Sequence, residues 1–160
     1  MTNATRRLPD YAGHRSPKSL PKGPNGLPLC RWCKTTECAS VRRTFCSEAC
    51  IHEHKIRTQP QYAKAQVAKR DDCRCAICGT DTFAELRASL GARKDLRPVS
   101  LLRLKCTTFD MDHTVPVCEG GGSCGLDGLR TLCRPCHRVV TAQLAARRAE
   151  ARRKAKAGAA

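Results

Sequence analysis

The sequence has few aromatic residues, few acidic residues and no long apolar run. Phe, Tyr and Trp together make up 4% of its 160 residues, which is little material for a conventional hydrophobic core. No stretch approaches the roughly 18 apolar residues that a membrane-spanning helix needs. We therefore expect something other than aromatic packing to stabilise the fold.

The first residues also lack the apolar segment of a secretory signal, and prolines interrupt any amphipathic mitochondrial helix there. These absences predict an intracellular protein, cytoplasmic or, in a eukaryotic source, nuclear. In a reducing compartment the 13 cysteines indicate metal ligands rather than disulfides, and their odd number favours the same interpretation.

Acidic residues number 14 against 30 Lys and Arg, which gives a formal net charge of +16. An excess of this size predicts a polyanionic partner, and nucleic acid is the simplest one. The shortage of aromatic side chains argues against a platform that stacks single-stranded bases. Double-stranded DNA is therefore the predicted partner, and no membrane is expected.

Composition divides the chain into five segments. They are a disordered, basic, proline-rich arm (1–29), a zinc knuckle (30–58), a helical or extended connector (59–72), a second cysteine-rich domain (73–146), and the basic end of a helix with a tail (147–160). Within the second domain, helical spacing in residues 82–104 is broken by Gly91 and Pro98. A last helix is predicted from Arg134 to about Lys156, with Pro135 tolerated in its first turn.

The first cysteine cluster has the spacing of a structural zinc site. Cys30 and Cys33 form a C-x2-C pair, and Cys46 and Cys50 lie one helical turn apart. Four thiolates close a tetrahedral zinc site and leave no open position for catalysis. The exact ligand set stays open, because three further residues nearby are candidate ligands: Cys38, His52 and His54.

A second structural zinc site is predicted from two further C-x2-C pairs, Cys75 with Cys78 and Cys133 with Cys136. Cys73 is an alternative to Cys75, although Cys75 has the regular spacing. The 54 residues between the two pairs exceed a simple zinc finger, so another element is inserted there. No role is assigned to three other cysteines: Cys106, Cys118 and Cys124.

The inserted element carries an Asp112-His113 pair, Pro116 three residues later, the glycine run 120–122, and the run LDGLRTLCRPCH that ends at His137. Over residues 73–146 this pattern resembles the zinc-stapled HNH endonuclease family. More narrowly, residues 28–155 resemble the C-terminal HNH module of annealing helicases that carry a Ran-binding-domain zinc finger. The resemblance implies a small, zinc-stabilised α+β fold with two treble-clef-like centres, the second holding a ββα-metal site.

The resemblance also implies catalytic roles. His113 would activate water as the general base, while Asp112 and His137 would hold one Mg²⁺ or Mn²⁺ ion. The residue types suit this chemistry, since a carboxylate and an imidazole bind divalent ions and a neutral imidazole accepts a proton near pH 7. The expected reaction is hydrolysis of DNA phosphodiester bonds with low sequence specificity, by nicking or double-strand cleavage, leaving a 5′-phosphate and a 3′-hydroxyl.

The sequence departs from the family at one position, because Gly128 stands where the family has the Asn that gives HNH its middle letter. Asp127 or a water molecule could compensate. Gly128 keeps open a second interpretation, a zinc-dependent DNA-binding protein that cuts slowly or not at all. A third is an adaptor whose N-terminal finger binds another protein.

Arginines near the proposed site are predicted to neutralise DNA phosphates, since phosphate contacts supply most of the affinity of such proteins. The candidates are Arg130, Arg134, Arg138, Arg147, Arg148, Arg152 and Arg153.

Overall fold

The computed structural model describes residues 16–39, 44–91 and 98–158. Within these ranges the fold is a small α+β arrangement, as predicted. The helices are α1 (Glu48–Thr58), α2 (Pro60–Asp71), α3 (Ala84–Leu90), α4 (Pro98–Lys105) and α5 (Arg134–Ala157), and the strands are β1 (Asp110–His113) and β2 (Leu129–Leu132). The chain divides into two compact units, Met1–Ala63 and Lys64–Ala160.

In the first unit, part of the segment predicted to be a disordered arm has regular structure. Pro17–Ser19 forms a 3₁₀ turn, and isolated bridges pair Lys22 with Pro28 and Leu29 with Glu37. Leu20 is buried. Prolines do not prevent such bridges, because each bridge uses only a few backbone groups and proline fits turn and edge positions. Residues 1–15 of the arm lie outside the described ranges.

Helix α1 begins between Cys46 and Cys50, the second pair of the first cysteine cluster. Ser47 caps it, accepting a hydrogen bond from the backbone N–H of Cys50 at 3.2 Å. The helix buries His54 and Ile56, and the His54 ring meets Phe45 edge to face with 5.0 Å between centroids. The capped turn fixes the geometry of Cys46 and Cys50.

The second unit is built around an antiparallel pair of strands. β1 and β2 pair in a register that sets Asp112 opposite Arg130 and His113 opposite Leu129. The most deeply buried side chains of this unit include few aromatics and two of the cysteines: Val67, Cys73, Cys75, Phe83, Phe109, Leu129 and Leu132. Cysteine thus takes up core positions that aromatic residues fill in other small domains.

The helices of the second unit have the boundaries that glycine and proline predicted. α3 ends at Gly91, which adopts a left-handed φ of 56°, and α4 begins at Pro98. The connector forms helix α2, and α5 confirms the helix predicted from Arg134 to about Lys156. From residue 145 to residue 158 every residue is exposed. No helix in the described ranges combines the length and the apolar character that crossing a membrane requires.

Candidate functional site

The structure brings the first predicted tetrad together. The Sγ atoms of Cys30, Cys33, Cys46 and Cys50 all lie within 4.8 Å of one another. Cys46 Sγ is 3.8 Å from Cys33 Sγ and 3.5 Å from Cys50 Sγ. Four converging sulfurs fit the tetrahedral donor set of zinc, so this tetrad could hold a structural zinc ion.

The second predicted tetrad converges in the same way. Cys75, Cys78, Cys133 and Cys136 place their Sγ atoms within 4.8 Å of one another, with 3.7 Å between Cys78 and Cys133. Cys133 and Cys136 stand at the start of α5. The tetrad therefore ties the start of this helix to the segment that follows α2, and could hold a second structural zinc.

Each tetrad contains at least one thiol with a lowered pKa: Cys33 in the first, and Cys75 and Cys78 in the second. Hydrogen bonding to Thr35 lowers the pKa of Cys33 to about 5, and Thr80 lowers the pKa of Cys78 to about 6. Burial raises the pKa of Cys46 to about 12, and the hydrogen bond with Cys133 raises that of Cys136 to about 12. A divalent cation would thus meet a thiolate in each tetrad and would displace the remaining protons on binding.

Three cysteines outside the tetrads are buried or partly buried in the fold. Cys38 and Cys73 are buried at 1% and 0% exposure, and burial raises the pKa of both. Cys106 is partly buried, and its pKa is raised for the same reason. Neither Cys38 nor Cys73 belongs to a tetrad, so the alternatives in which they act as ligands are not supported.

Asp112, predicted as a metal ligand, lies on β1 and is engaged by a cation from β2. Its Oδ2 accepts hydrogen bonds from Arg130 Nε at 2.9 Å and Arg130 Nη2 at 2.8 Å. Both side chains are partly buried. Arg130, predicted to contact DNA, is thus directed at the candidate site, and it places a positive charge on the carboxylate expected to bind a cation.

His137, the other predicted ligand, is held by a residue that the sequence analysis missed. Its Nδ1 lies 3.0 Å from Asp110 Oδ2. In a strand, residues two apart share a face, so Asp110 and Asp112 lie on the same face of β1. No hydrogen bond joins Asp112 to His137 within the described ranges, and neither belongs to a group of three or more ligands there. The sequence does carry a signal for Asp110, because an acidic residue two positions before Asp112 in a predicted strand lies on the same face as Asp112.

His113, the predicted general base, is the last residue of β1 and is partly buried. In the described part of the chain its ring makes no hydrogen bond. The residue after it is tied to the opposite segment, because the N–H of Thr114 donates to the carbonyl of Gly128 at 2.9 Å. His113 therefore lies at a strand end that this backbone hydrogen bond holds in place.

The glycine-rich loop follows directly. Gly121 donates its N–H to the carbonyl of Pro116 at 3.1 Å, and a Cβ on Gly121 would lie 1.8 Å from the carbonyl oxygen of Val115. Gly120 has a left-handed φ of 100°. Gly120 and Gly121 are thus required by the backbone geometry of this loop.

Gly128 is also required by close contact. A Cβ there would lie 2.4 Å from the Cβ of Cys124 and 2.7 Å from its Sγ. The position of the family Asn is therefore filled by the neighbouring cysteine, which gives Cys124 a physical role that the sequence analysis did not find.

The segment around Gly128 is held by a second residue that sequence reasoning missed. Arg70, at the end of α2, donates hydrogen bonds to the carbonyls of Leu126 and Leu129, both at 2.7 Å. Its guanidinium is fixed in turn by Asp71, which also accepts from the backbone N–H of Thr131 at 3.1 Å. No sequence signal links Arg70 to carbonyls that lie 56 and 59 residues later.

Comparison with known proteins identifies relatives of this segment. The protein named DNA annealing helicase and endonuclease ZRANB3 is 34% identical over 154 residues in Mus musculus, 33% in Bos taurus and 32% in Homo sapiens. The chain is homologous to a segment of ZRANB3. The match covers 80% of the chain but only 14% of each relative, so the chain spans about a seventh of their length. No family model and no solved structure matches it.

Proposed function

We propose that this chain is a metal-dependent DNA endonuclease of the HNH type. The observation that carries the proposal is the arrangement of β1 with the start of α5. There Asp110 contacts the ring of His137, and Asp112 accepts a hydrogen bond from the guanidinium of Arg130. The homologous relatives are named as endonucleases that act on DNA, and the net charge of +16 suits a DNA substrate. The strand–strand–helix order of β1, β2 and α5 is the order of a ββα-metal unit.

The residues present fit a divalent ion. A ligating histidine in metalloproteins usually donates its other ring N–H to a carboxylate, which fixes the tautomer and the ring orientation. Asp110 can do this for Nδ1 of His137, and Nε2 is then left with its lone pair for a metal. Asp112 supplies a hard oxygen, and the positive charge of the Arg130 guanidinium on that oxygen supports the proposal of a cation there.

In the proposed reaction His113 accepts a proton from a water molecule as its oxygen attacks the phosphorus. The bond from phosphorus to the 3′ oxygen breaks, and that oxygen takes a proton from solvent water, which leaves a 3′-hydroxyl and a 5′-phosphate. A divalent ion held by Asp112 and His137 would neutralise the phosphate and the departing oxygen. Arg130, released from Asp112, could then pair with a phosphate, a contact that arginine makes readily.

Loss of the family Asn does not leave the loop unsupported. The Arg70 hydrogen bonds to Leu126 and Leu129 and the bond from Thr114 to Gly128 hold this segment against the exit of β1. Backbone contacts thus supply the positioning that an Asn side chain would supply. This favours a working site over the alternative of a decayed, DNA-binding remnant.

Nicking of supercoiled plasmid with Mg²⁺ or Mn²⁺ tests the proposal. The wild-type protein should relax and linearise the plasmid, while His113→Ala should lose at least about a hundredfold in rate, the usual contribution of a general base. Asp110→Asn should raise the metal concentration needed for half-maximal rate by about tenfold or more. Zinc content and circular dichroism of each variant serve as folding controls.

Two results would contradict the proposal. One is an absence of cleavage by wild-type protein that holds its zinc and binds DNA, which would favour the binding-protein alternative. The other is cleavage that persists unchanged in the His113→Ala variant.

A further inference from the structure

Helix α5 extends well beyond the residues that the fold buries. Its residues from 145 onward are all exposed, and its Arg134–Ala157 span carries eight Lys and Arg residues against one acid, Glu150. Burial does not account for so long a basic helix, since a helix that is polar on every side gains little from the core. The arrangement of its charges around the helix is more informative than their number.

Five of the basic residues share one face, called here the basic stripe: Arg134, Arg138, Arg148, Arg152 and Lys156. At 3.6 residues per turn, a separation of about 18 residues is five full turns. Arg134 and Arg152 therefore align, as do Arg138 and Lys156, while Arg148 lies about one turn before Arg152. Within the described ranges no stripe residue takes part in an ion pair.

Two other basic residues lie on the opposite face and are neutralised there. Arg147 and Lys154 are about two turns apart, and Lys154 is rotated by roughly 200° from Arg152. Arg147 lies 3.3 Å from Glu119, and Lys154 lies 2.7 Å from Glu150. Arg147, predicted from the sequence to contact DNA, is therefore left out of the proposed DNA surface. These two acidic side chains thus lie away from the basic stripe, and neither forms an ion pair with a stripe residue.

The basic stripe is in line with the candidate site. Arg148 follows His137 by about three turns, so the two residues point to the same side of α5. From Arg134 to Lys156 the stripe is about 33 Å long at 1.5 Å per residue. One turn of B-form DNA, about ten base pairs, has nearly the same length.

We infer that the basic stripe binds along the backbone of double-stranded DNA and holds about one turn of duplex beside the His137 site. The choice of duplex rests on shape and composition, since a straight helix presents charge along a regular array of phosphates. α5 contains no aromatic residue on which single-stranded bases could stack. The position relative to the cut rests on the proposed function, whereas the binding itself does not.

Two double variants that each remove two positive charges from α5 test the inference. Arg148→Ala with Arg152→Ala removes charge from the stripe, and Arg147→Ala with Lys154→Ala removes it from the opposite face. Alanine preserves the helix in both. Fluorescence anisotropy with a labelled 20-base-pair duplex of mixed sequence, without added Mg²⁺ or Mn²⁺, gives the affinity at several salt concentrations.

The stripe variant should bind about tenfold or more weakly at ~0.1 M salt, and its plot of log affinity against log salt should lose about two units of slope. The opposite-face variant should stay within about twofold of wild type. Equal losses in both variants would show that only net charge matters and would overturn the inference, as would no loss in either.

These outcomes are separate from those of the nicking assay. If wild-type protein fails to cut while the two variants still differ in binding, the basic stripe stands and the proposed nuclease function fails. If the protein cuts but the variants bind alike, the proposed function stands and the inference fails.

Discussion

At the scale of single residues, the side chain of Cys124 accounts for the glycine at position 128. The glycine leaves the space that the cysteine side chain occupies, with 2.4 Å between Cys124 Cβ and the Cβ that any other residue would carry at 128. A contact this short cannot be relieved by rotating a side chain, because both atoms are fixed by the backbone. Restoring the family Asn at 128 alone would therefore carry the same clash as alanine.

Gly128→Ala should accordingly destabilise the protein by about 1–3 kcal/mol, the usual cost of overpacking. Urea denaturation followed by circular dichroism measures this. Gly158→Ala is the matched control and should be nearly neutral, since its new Cβ would lie 3.6 Å from the nearest atom, the carbonyl oxygen of Lys154. A smaller effect of Gly128→Ala in a Cys124→Gly background would confirm the pairing, and an undiminished one would refute it.

At the scale of elements, Arg70 connects α2 to the segment that precedes and begins β2. One guanidinium satisfies two carbonyls and the carboxylate of Asp71, which also accepts from the backbone of β2. Arginine suits this position because its planar group presents several donors in fixed directions, whereas lysine is a point charge.

Arg70→Lys should therefore loosen residues 126–129. Each hydrogen bond to a charged group contributes about 1.5–3 kcal/mol, so their amide hydrogens should exchange at least about tenfold faster. Hydrogen exchange with mass spectrometry resolves this segment. Arg74→Lys, an exposed neighbour, should leave exchange there unchanged. Equal exchange rates in wild type and the Arg70 variant would show that other contacts hold the loop.

Helix boundaries were predictable because their signals are local. Pro135 and the charge run indicated α5, and Gly91 and Pro98 marked the interruption between α3 and α4. The tetrads were predictable from C-x2-C and C-x3-C spacing, which encodes ligand geometry directly. The 3₁₀ turn in the proline-rich arm was not predicted, because the composition of a segment does not indicate which of its backbone groups form hydrogen bonds.

Long-range partners in the candidate site could not be predicted in the same way. Asp110 meets His137 across 27 residues, and Arg130 meets Asp112 through the register of the strands. These pairings depend on tertiary packing rather than on a local pattern. Ligand spacing was a sufficient guide at the tetrads, because the sets predicted without Cys38 and Cys73 are the ones that converge, and these two cysteines are buried outside them.

At the scale of the whole molecule, each compact unit contains one tetrad: residues 30–50 in the first unit and 75–136 in the second. Zinc binding supplies folding free energy where an apolar core is small. We therefore expect the stability of each unit to depend on a zinc ion bound at its own tetrad.

Native mass spectrometry should accordingly find two zinc ions per chain. Cys33→Ser should retain one, because the loss of one thiolate opens the first tetrad while leaving the second intact. Cys38→Ala is the matched control and should retain two, since this buried cysteine is outside the tetrad. Retention of two ions by Cys33→Ser, or loss of one by Cys38→Ala, would refute the ligand assignment.

The long separation between the two pairs of the second tetrad also affects how freely the chain can vary. A metal that joins Cys78 to Cys133 closes a loop whose entropic cost grows only with the logarithm of its length. Doubling the inserted segment would cost only about 0.6 kcal/mol in closure entropy. Lengthening the segment between Cys78 and Cys133 should therefore have little effect on the free energy with which a metal joins these two cysteines at the start of α5.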